Sequence, residues 1–419
     1  MIKILHLADL HIGIENYGRI DPTTGLHTRL LDYLERLDEA IDVGLESGVD
    51  LVLIAGDIYK NRSPNPTHQR EFARRIRRIT DANIPVFILT GNHDVSPSIG
   101  RAHSVEIFGT LAVEGVTIAD RPWLYPFPTR AGPLQIIAIP WLTRHSLLTH
   151  EELRLASFGE IEAELRRRLD NFIEQTLTEL NPDIPTVLTL HGTIDGAQLG
   201  AERSMTLGQD LVLTRSMVAQ SNIDYVALGH IHKHQALGEH PPLVYPGSIE
   251  RVDFGEQAED KGCVLVELGR GTTRWHFHKL AARPFITIDV DVRASNTPQE
   301  RIAHAIAQHT LDTAVVRLLV KATPEQASLL REAELREELH TAGAFFVAAI
   351  AIDVERQARG RFTGIEDQLQ TGLTPRRALE LYLQSRQTDP QRIAVLLGAA
   401  DELLAEDALS QSHLSAEDN

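Results

Sequence analysis

The chain has 419 residues, 42% of them hydrophobic and 24% charged, which predicts a globular protein of two or three domains rather than one ordinary core. No run approaches the roughly 20 apolar residues that a membrane span needs, and Cys263 is the single cysteine, which excludes an intramolecular disulfide framework and a multi-cysteine zinc site. The net charge of -17 argues against a protein that coats nucleic acid unaided, because non-specific affinity comes from neutralising phosphates. It does not exclude a DNA enzyme whose positive charges are bound metals, a local basic patch or a partner subunit.

Residues 1 to about 280 repeat a short buried strand, a polar motif and a helix. Strands are predicted over 2–8, 50–55, 84–89, 135–141, 186–190 and 224–228, and shorter strands over 243–245, 262–268 and 273–279. Amphipathic helices are predicted over about 27–47, 67–82 and 151–180 from the spacing of their apolar residues. Alternating strands and helices predict a layered α/β domain, and the late hairpin-like strands predict that the sheet is mixed.

Five of these strands end in a polar motif. In chain order the motifs are Asp9-Leu10-His11, Gly56-Asp57, Gly91-Asn92-His93-Asp94, His191-Gly192 and Gly229-His230-Ile231-His232. Open α/β sheets bind ligands at the carboxyl ends of their strands, so we expect the motifs to converge. One such motif alone is more often a core or turn residue, and the prediction rests on the set. Oxygen and imidazole ligands in this number suit a two-metal site for phosphoester hydrolysis, in which one carboxylate bridges the ions.

After residue 282 the composition changes. We predict an α+β capping domain over 283–356, with strands at 285–292, 314–320 and 344–354 and helices at 298–310 and 324–340. A polar linker and two amphipathic helices, Pro375 to Arg386 and Pro390 to Glu406, are predicted over 357–408, and a disordered tail over 409–419. The lone cysteine and a strand at the start of the sequence, in place of a signal peptide, predict a cytoplasmic protein.

The five motifs in this order resemble those of the calcineurin-like metallophosphoesterase superfamily. A narrower resemblance, to the SbcD-type DNA repair exonuclease subunits, rests on the segment 246–256, on Lys261-Gly262, on Ile139-Pro140-Trp141-Leu142 and on the order of domains. The resemblance implies an α/β fold, a layered α/β/β/α metallophosphoesterase sandwich with a small α+β capping domain and C-terminal helices. It implies 3′-to-5′ exonuclease action on double-stranded DNA and endonuclease action on single strands and hairpins.

The resemblance also implies a role for each motif residue. One ion would be held by Asp9, His11, Asp57 and His232, and the second by Asp57, Asn92, His191 and His230. His93 would lie beside the scissile phosphate as the catalytic residue, with Asp94 as its orienting partner. The resemblance implies two divalent ions. Mn²⁺ is the expected metal, and Fe and Zn are the alternatives. No substrate-binding residue is assigned.

The implied partners are DNA and an SbcC-type coiled-coil ATPase, the latter held by the two C-terminal helices, with the nuclease as a homodimer within a heterotetramer. Packing of these helices on the chain's own core is the alternative. A phosphatase or cyclic-nucleotide phosphodiesterase, and a non-enzymatic scaffold for the ATPase, are the alternative functions. The basic run Arg74 to Arg78 is interpreted as a solvated helix face rather than as a DNA contact, which is the less favoured alternative. His6 is interpreted as a core residue.

Overall fold

The computed structural model describes residues 1–95, 101–142, 158–200, 211–355, 374–386 and 388–401. The chain forms two compact units: one comprises Met1–Val290, Gln299–Val320 and Leu330–Ala351, and the other comprises Asp291–Pro298, Lys321–Leu329 and Ile352–Asn419. Within the described ranges, no helix is both long enough and apolar enough to cross a membrane. The predicted polar linker over 357–364, the tail over 409–419 and residues 151–157 of the predicted long helix lie outside the described residues.

Twelve strands build the two main sheets. They are β1 (Ile2–Leu7), β2 (Leu51–Ile54), β3 (Val86–Leu89), β4 (Val116–Ala119), β5 (Trp123–Thr129), β6 (Gly132–Ile139), β7 (Thr186–His191), β8 (Tyr225–Gly229), β9 (Gln235–Glu239), β10 (Pro242–Tyr245), β11 (Gly262–Leu268) and β12 (Arg274–Lys279). The helices among them are α1 (Thr28–Ser47), α2 (Pro66–Asp81), α3 (Glu106–Thr110), α4 (Phe158–Glu179) and α5 (Arg215–Val218).

The strands form two six-stranded mixed sheets. The first has the order β12-β11-β1-β2-β3-β4, with β1 to β4 parallel and with β11 antiparallel to β1. The second has the order β5-β6-β7-β8-β10-β9, with β6, β7, β8 and β10 parallel. The parallel strands β2, β3 and β8 read as uninterrupted apolar runs because both of their faces are buried.

Three layers of apolar side chains pack the first unit. Leu5 and Leu7 of β1 pack against α1 and α2, whereas Ile4 on the opposite face of the same strand packs against the second sheet. Leu169 of α4 packs on the outer face of the second sheet, together with Leu188 of β7. The order is therefore helices, sheet, sheet and helices, which confirms the predicted α/β/β/α sandwich.

The region after residue 282 contains a third, smaller sheet. Its strands are β13 (Phe285–Asp291), β14 (Val315–Ala322) and β15 (Phe346–Val354), in that order, and its helices are α6 (Pro298–Ala307), α7 (Pro324–Leu329) and α8 (Glu332–Thr341). The prediction of a single helix over 324–340 is wrong, since two helices cover this region. Leu330 is buried and Arg331 is extended, with φ -118° and ψ 115°, which separates α7 from α8.

The two predicted C-terminal helices are present where the structure describes them. The first is α9 (Pro375–Ser385), which begins after the extended residue Thr374, and the second covers 390–401. Arg376 Nε lies 2.9 Å from Asp401 Oδ1, and Leu383 and Leu397 are buried. Their role in binding a partner stays a prediction.

Candidate metal centre

The five polar motifs lie at one edge of the sandwich. Asp9 and His11 follow β1, and Asp57 follows β2; the backbone N–H of Asp9 donates to Gly56 O at 3.1 Å and that of His11 donates to Asp57 O at 3.0 Å. The motifs of the second sheet reach the same point, since the backbone N–H of His230 donates to Asp9 Oδ1 at 2.9 Å. The carboxyl ends of parallel strands in both sheets thus bring residues more than 200 positions apart into hydrogen-bond contact.

The backbone of the motifs is held in an unusual conformation. Eight described residues other than glycine have positive φ, and four of them are motif residues: Asp9 (53°), His11 (43°), Asp57 (55°) and His230 (100°). A non-glycine residue in this region costs about 1–3 kcal/mol and persists where the surrounding structure enforces it, commonly at functional sites. The concentration of strain at the strand ends therefore marks this edge as the candidate site.

One group of potential ligands consists of Asp9, His11 and His232, all buried. The Nε2 atoms of His11 and His232 lie 2.9 Å apart. Ligands at right angles around an octahedral ion, with bonds of about 2.1 Å, lie about 3 Å apart, so the two ring nitrogens are spaced as ligands of one metal. The donor set, one carboxylate and two imidazoles, fits a divalent transition metal.

A second group consists of Asp57, His191 and His230, with Asn92 between the two rings. Asn92 Oδ1 lies 3.0 Å from His191 Nε2 and 3.1 Å from His230 Nδ1. His191 donates its Nδ1–H to Ala55 O at 2.7 Å, which directs Nε2 toward the oxygens of Asn92 and Asp57. With Nδ1 engaged, Nε2 is the ring atom of His191 that a metal ion at this group would bind.

Asp57 stands between the two groups. Its Oδ2 lies 3.8 Å from His11 Nε2 and its Oδ1 lies 3.4 Å from His191 Nε2, so each carboxylate oxygen faces a different group. This is the arrangement that a carboxylate bridging two ions requires. All seven residues assigned as metal ligands are thus brought together, and their assignment to two particular ions stays a prediction.

Charges and burial shape the protonation of the site. Burial tends to raise the pKa of Asp57, but the charge and hydrogen bond of His191 outweigh it and hold the pKa well below its usual range. Burial lowers the pKa of His191, but the charge of Asp57 reverses the effect and raises the pKa to about 9. Burial, followed by the charge of His232, holds the pKa of His11 well below its usual range. The buried carboxylate of Asp57 is therefore ionised, and a nearby positive charge, which a bound metal would supply, stabilises it.

His93 lies at the open side of the centre. Its backbone N–H donates to Asp57 Oδ1 at 2.8 Å, and its ring stands edge-on to His11 with the centroids 4.9 Å apart. Its Nδ1–H donates to the carbonyl of Lys60 at 2.7 Å. His93 also forms a group with metal-compatible spacing with His11 and Asp57, so its assignment as a proton donor rather than a ligand stays a prediction.

Asp94 does not have the position expected of an orienting partner for His93. Its Oδ2 accepts the backbone N–H groups of Asp57 and Gly91, both at 2.9 Å, and its Oδ1 accepts the hydroxyl of Ser104 at 2.9 Å. Both oxygens are used in tying the loop after β3 to the loop after β2. Asp94 therefore supports the backbone of the ligands, and the orienting contact to His93 comes from Lys60.

Two further residues touch the ligands. Glu256 Oε1 accepts a hydrogen bond from His232 Nδ1 at 2.7 Å, and the ring of Trp141 lies over His230 with the centroids 5.1 Å apart. Both belong to segments that carry the narrower resemblance, but the sequence reasoning assigned no role to either side chain. The sequence feature that could have indicated Glu256 is its position five residues before Lys261, which directly precedes an apolar strand.

The basic run on α2 is ion-paired. The pairs are Arg74 with Glu71, Arg75 with Asp38, Arg77 with Asp81, and Arg78 with Asp42. These carboxylates lie on α1 and on α2 itself. The run therefore fits the interpretation as a helix face, and we assign it no DNA contact. His6 is fully buried, which confirms it as a core residue.

Comparison with known proteins agrees with this geometry. The sequence model of the calcineurin-like phosphoesterases matches residues 2–234. The chain is 25% identical over 283 residues to the uncharacterized metallophosphoesterase YhaO of Bacillus subtilis (strain 168), and 27% identical over 291 residues to a subunit of the nuclease SbcCD of Rhodobacter capsulatus. It is 26% identical over 264 residues to the DNA double-strand break repair protein Mre11 of Archaeoglobus fulgidus. The three alignments cover 66%, 66% and 62% of this chain, and 60%, 68% and 52% of those proteins.

Proposed function

We propose a nuclease function from the premise that this chain belongs to the calcineurin-like phosphoesterase family, whose members are metal-dependent phosphoesterases. The proposed activity is hydrolysis of DNA phosphodiester bonds at a two-metal centre, as a 3′-to-5′ exonuclease on double strands and an endonuclease on single strands and hairpins. The observation that carries the two-metal proposal is the position of Asp57, whose two oxygens face two separate groups of ligands. Relatives named as a subunit of the nuclease SbcCD and as the DNA double-strand break repair protein Mre11 support DNA as the substrate class.

The residues of the chain would divide the chemistry as follows. Two divalent ions, for which we propose Mn²⁺, would lower the pKa of water and offset the charge of the phosphoryl oxygens. His93 would act on the substrate: the bond from Nδ1–H to Lys60 O would set the ring's orientation, and the imidazolium form would give its Nε2 proton to the leaving 3′-oxygen. Asp94 would keep the loops that carry Asp57 and His93 together.

We propose the partners, the domain boundaries and the location on the same basis. The partners would be DNA and an SbcC-type coiled-coil ATPase, and the complex would contain two copies of the nuclease. The domain boundaries at 282, 356 and 408 and a cytoplasmic location are part of this proposal. The contact with the ATPase would use α9 and the helix over 390–401, whose exposed apolar residues include Val395, with 71% of its surface accessible.

The test is cleavage of end-labelled linear and hairpin DNA by the purified chain with Mn²⁺, with p-nitrophenyl phosphate and bis-p-nitrophenyl phosphate as small substrates. Asp57→Ala removes the shared carboxylate and serves as the control for a contaminating nuclease. DNA cleavage that disappears in the variant supports the proposal, and the labelled end reports the polarity. Turnover of the small esters with inert DNA, even with the ATPase added, would instead favour the phosphatase alternative.

A His93→Asn variant separates chemistry from metal binding. We expect it to bind Mn²⁺ as the parent does and to cleave DNA about 100-fold or more slowly, since a positioned general acid contributes about 10²–10⁴-fold. Parental cleavage by this variant would refute the role of His93 and leave the two-metal proposal intact.

A further inference from the structure

We propose that Glu256 is a positioning residue of the metal centre: it fixes the ring of His232, and the buried cation of Lys261 fixes Glu256 in turn. The inference rests on the proposed metal centre and deepens it. It concerns a side chain that would act through a proposed metal ligand, His232.

The contact between Glu256 and His232 determines which ring nitrogen faces the centre. Glu256 Oε1 lies 2.7 Å from Nδ1 of His232, and the glutamate is fully buried. Because a carboxylate accepts hydrogen bonds, Nδ1 carries the hydrogen, and Nε2 presents its lone pair. That Nε2 is the atom 2.9 Å from Nε2 of His11. The same bond prevents rotation of the ring and makes the imidazole a stronger donor to a metal.

Lys261 keeps the carboxylate of Glu256 in place. The ammonium of Lys261 is fully buried and has three acceptors: Glu256 Oε2 at 2.8 Å, Glu259 Oε2 at 2.8 Å and the carbonyl of His232 at 3.1 Å. An ammonium has three hydrogens, so each acceptor takes one and the cation is fully satisfied. Lys261 therefore holds both the backbone of His232 and the carboxylate that orients its ring.

The local sequence builds this arrangement from a short turn. Residues Phe254–Glu256 form one turn of 3-10 helix, capped by Asp253, whose side chain accepts the N–H of Gly255 at 2.7 Å. The backbone N–H of Val252 donates to Glu256 Oε2 at 2.9 Å. Both carboxylate oxygens thus have defined donors, and the direction from Glu256 Oε1 to His232 does not depend on a flexible side chain.

A purely structural role for the ion pair predicts a different result from a positioning role. Removing one partner of a buried ion pair leaves an uncompensated buried charge, so a purely structural role predicts that the change lowers the stability of the fold. Loss of the orienting bond would be felt at one metal ion, because His232 belongs to only one of the two ligand groups. The two roles are therefore distinguished by metal affinity at each site rather than by stability.

The experiment compares Glu256→Gln with Glu259→Gln in the full-length chain. Both changes remove one carboxylate that contacts Lys261, but only Glu256 contacts His232. Mn²⁺ binding is measured by titration calorimetry, and spin coupling between the two ions by electron paramagnetic resonance. Circular dichroism and a thermal melt of the metal-free proteins establish that both variants are folded.

We expect Glu256→Gln to bind one Mn²⁺ with parental affinity and the other about 10- to 100-fold more weakly, so that the spin-coupled signal requires more metal. Glu259→Gln should bind both ions as the parent does, and Glu256→Asp should recover part of the lost affinity. Equal metal binding by Glu256→Gln and the parent would overturn the proposal, as would an equal loss in Glu259→Gln. If Glu256→Gln does not fold, Mn²⁺ binding by His232→Gln and Lys261→Met is measured instead. Loss of the same single metal site in both variants supports the proposal, and loss of that site in His232→Gln alone overturns it. A parent that binds two Mn²⁺ ions without cleaving DNA would refute the nuclease function alone.

Discussion

Acidification should destabilise the first unit through His6. This residue lies on the face of β1 that also carries Ile2 and Ile4 and points toward the second sheet, where its Nδ1 lies 3.0 Å from the hydroxyl of Tyr225. The side chain is fully buried, and burial lowers its pKa from 6.5 to about 3, with a smaller effect from the charge of His234. In the folded protein the ring is therefore neutral at every pH near neutrality.

The size of the effect follows from the two pKa values. As the pH falls, the unfolded chain binds the proton first, so stability that is present above about pH 6.5 is lost progressively as the pH falls toward about 3. Between about pH 7 and about pH 5.5 the loss is about 1.3 kcal/mol, and it depends on the unfolded pKa rather than on the exact folded value.

The assay is urea unfolding at both pH values, with a chelator present, followed by tryptophan fluorescence. All three tryptophans, Trp123, Trp141 and Trp275, lie in the first unit and report its unfolding. His6→Phe keeps a ring in the same place, and the pH-dependent loss of unfolding free energy should shrink by about 1.3 kcal/mol relative to the parent. Tyr225→Phe removes the hydrogen bond but keeps the histidine, and should retain the parental dependence. The reasoning is refuted if His6→Phe and the parent lose equal stability, within about 0.3 kcal/mol.

Two further predictions concern the thiol and one glycine at the site. Burial, with a smaller effect of the charge on Glu39, raises the pKa of Cys263 to about 12. The folded protein should therefore not react with Ellman's reagent at about pH 8, whereas the denatured protein should titrate one thiol. Rapid labelling of the folded protein would contradict this prediction. Gly229→Ala should lower the free energy of unfolding by about 1–3 kcal/mol and weaken Mn²⁺ binding, because a Cβ at this position would collide with the carbonyl of Ala55. In the control variant Gly192→Ala, the added Cβ meets no atom within 4 Å. Equal effects of the two changes in urea unfolding would contradict this steric explanation.

Local patterns in the sequence predicted most of the sandwich. Apolar spacing determined α1, since Leu30, Leu34, Leu37 and Ile41 repeat at helical intervals and all are buried. Strands with continuous apolar runs were equally clear. The strand β5 was missed because Pro126 and Pro128 lower its strand signal, although an edge strand tolerates proline where its N–H groups need no partner.

The sequence by itself also determined which residues form the candidate centre, because each motif follows a strand and parallel strands end at a common edge. What it could not determine is which side chains hold the ligands in place. Asp94 lies next to His93 in the chain yet binds the loops after β2 and β3, and Glu256 reaches His232 across 24 positions. Such contacts arise only when distant segments pack, and their distances and directions are set by tertiary structure rather than by spacing along the chain.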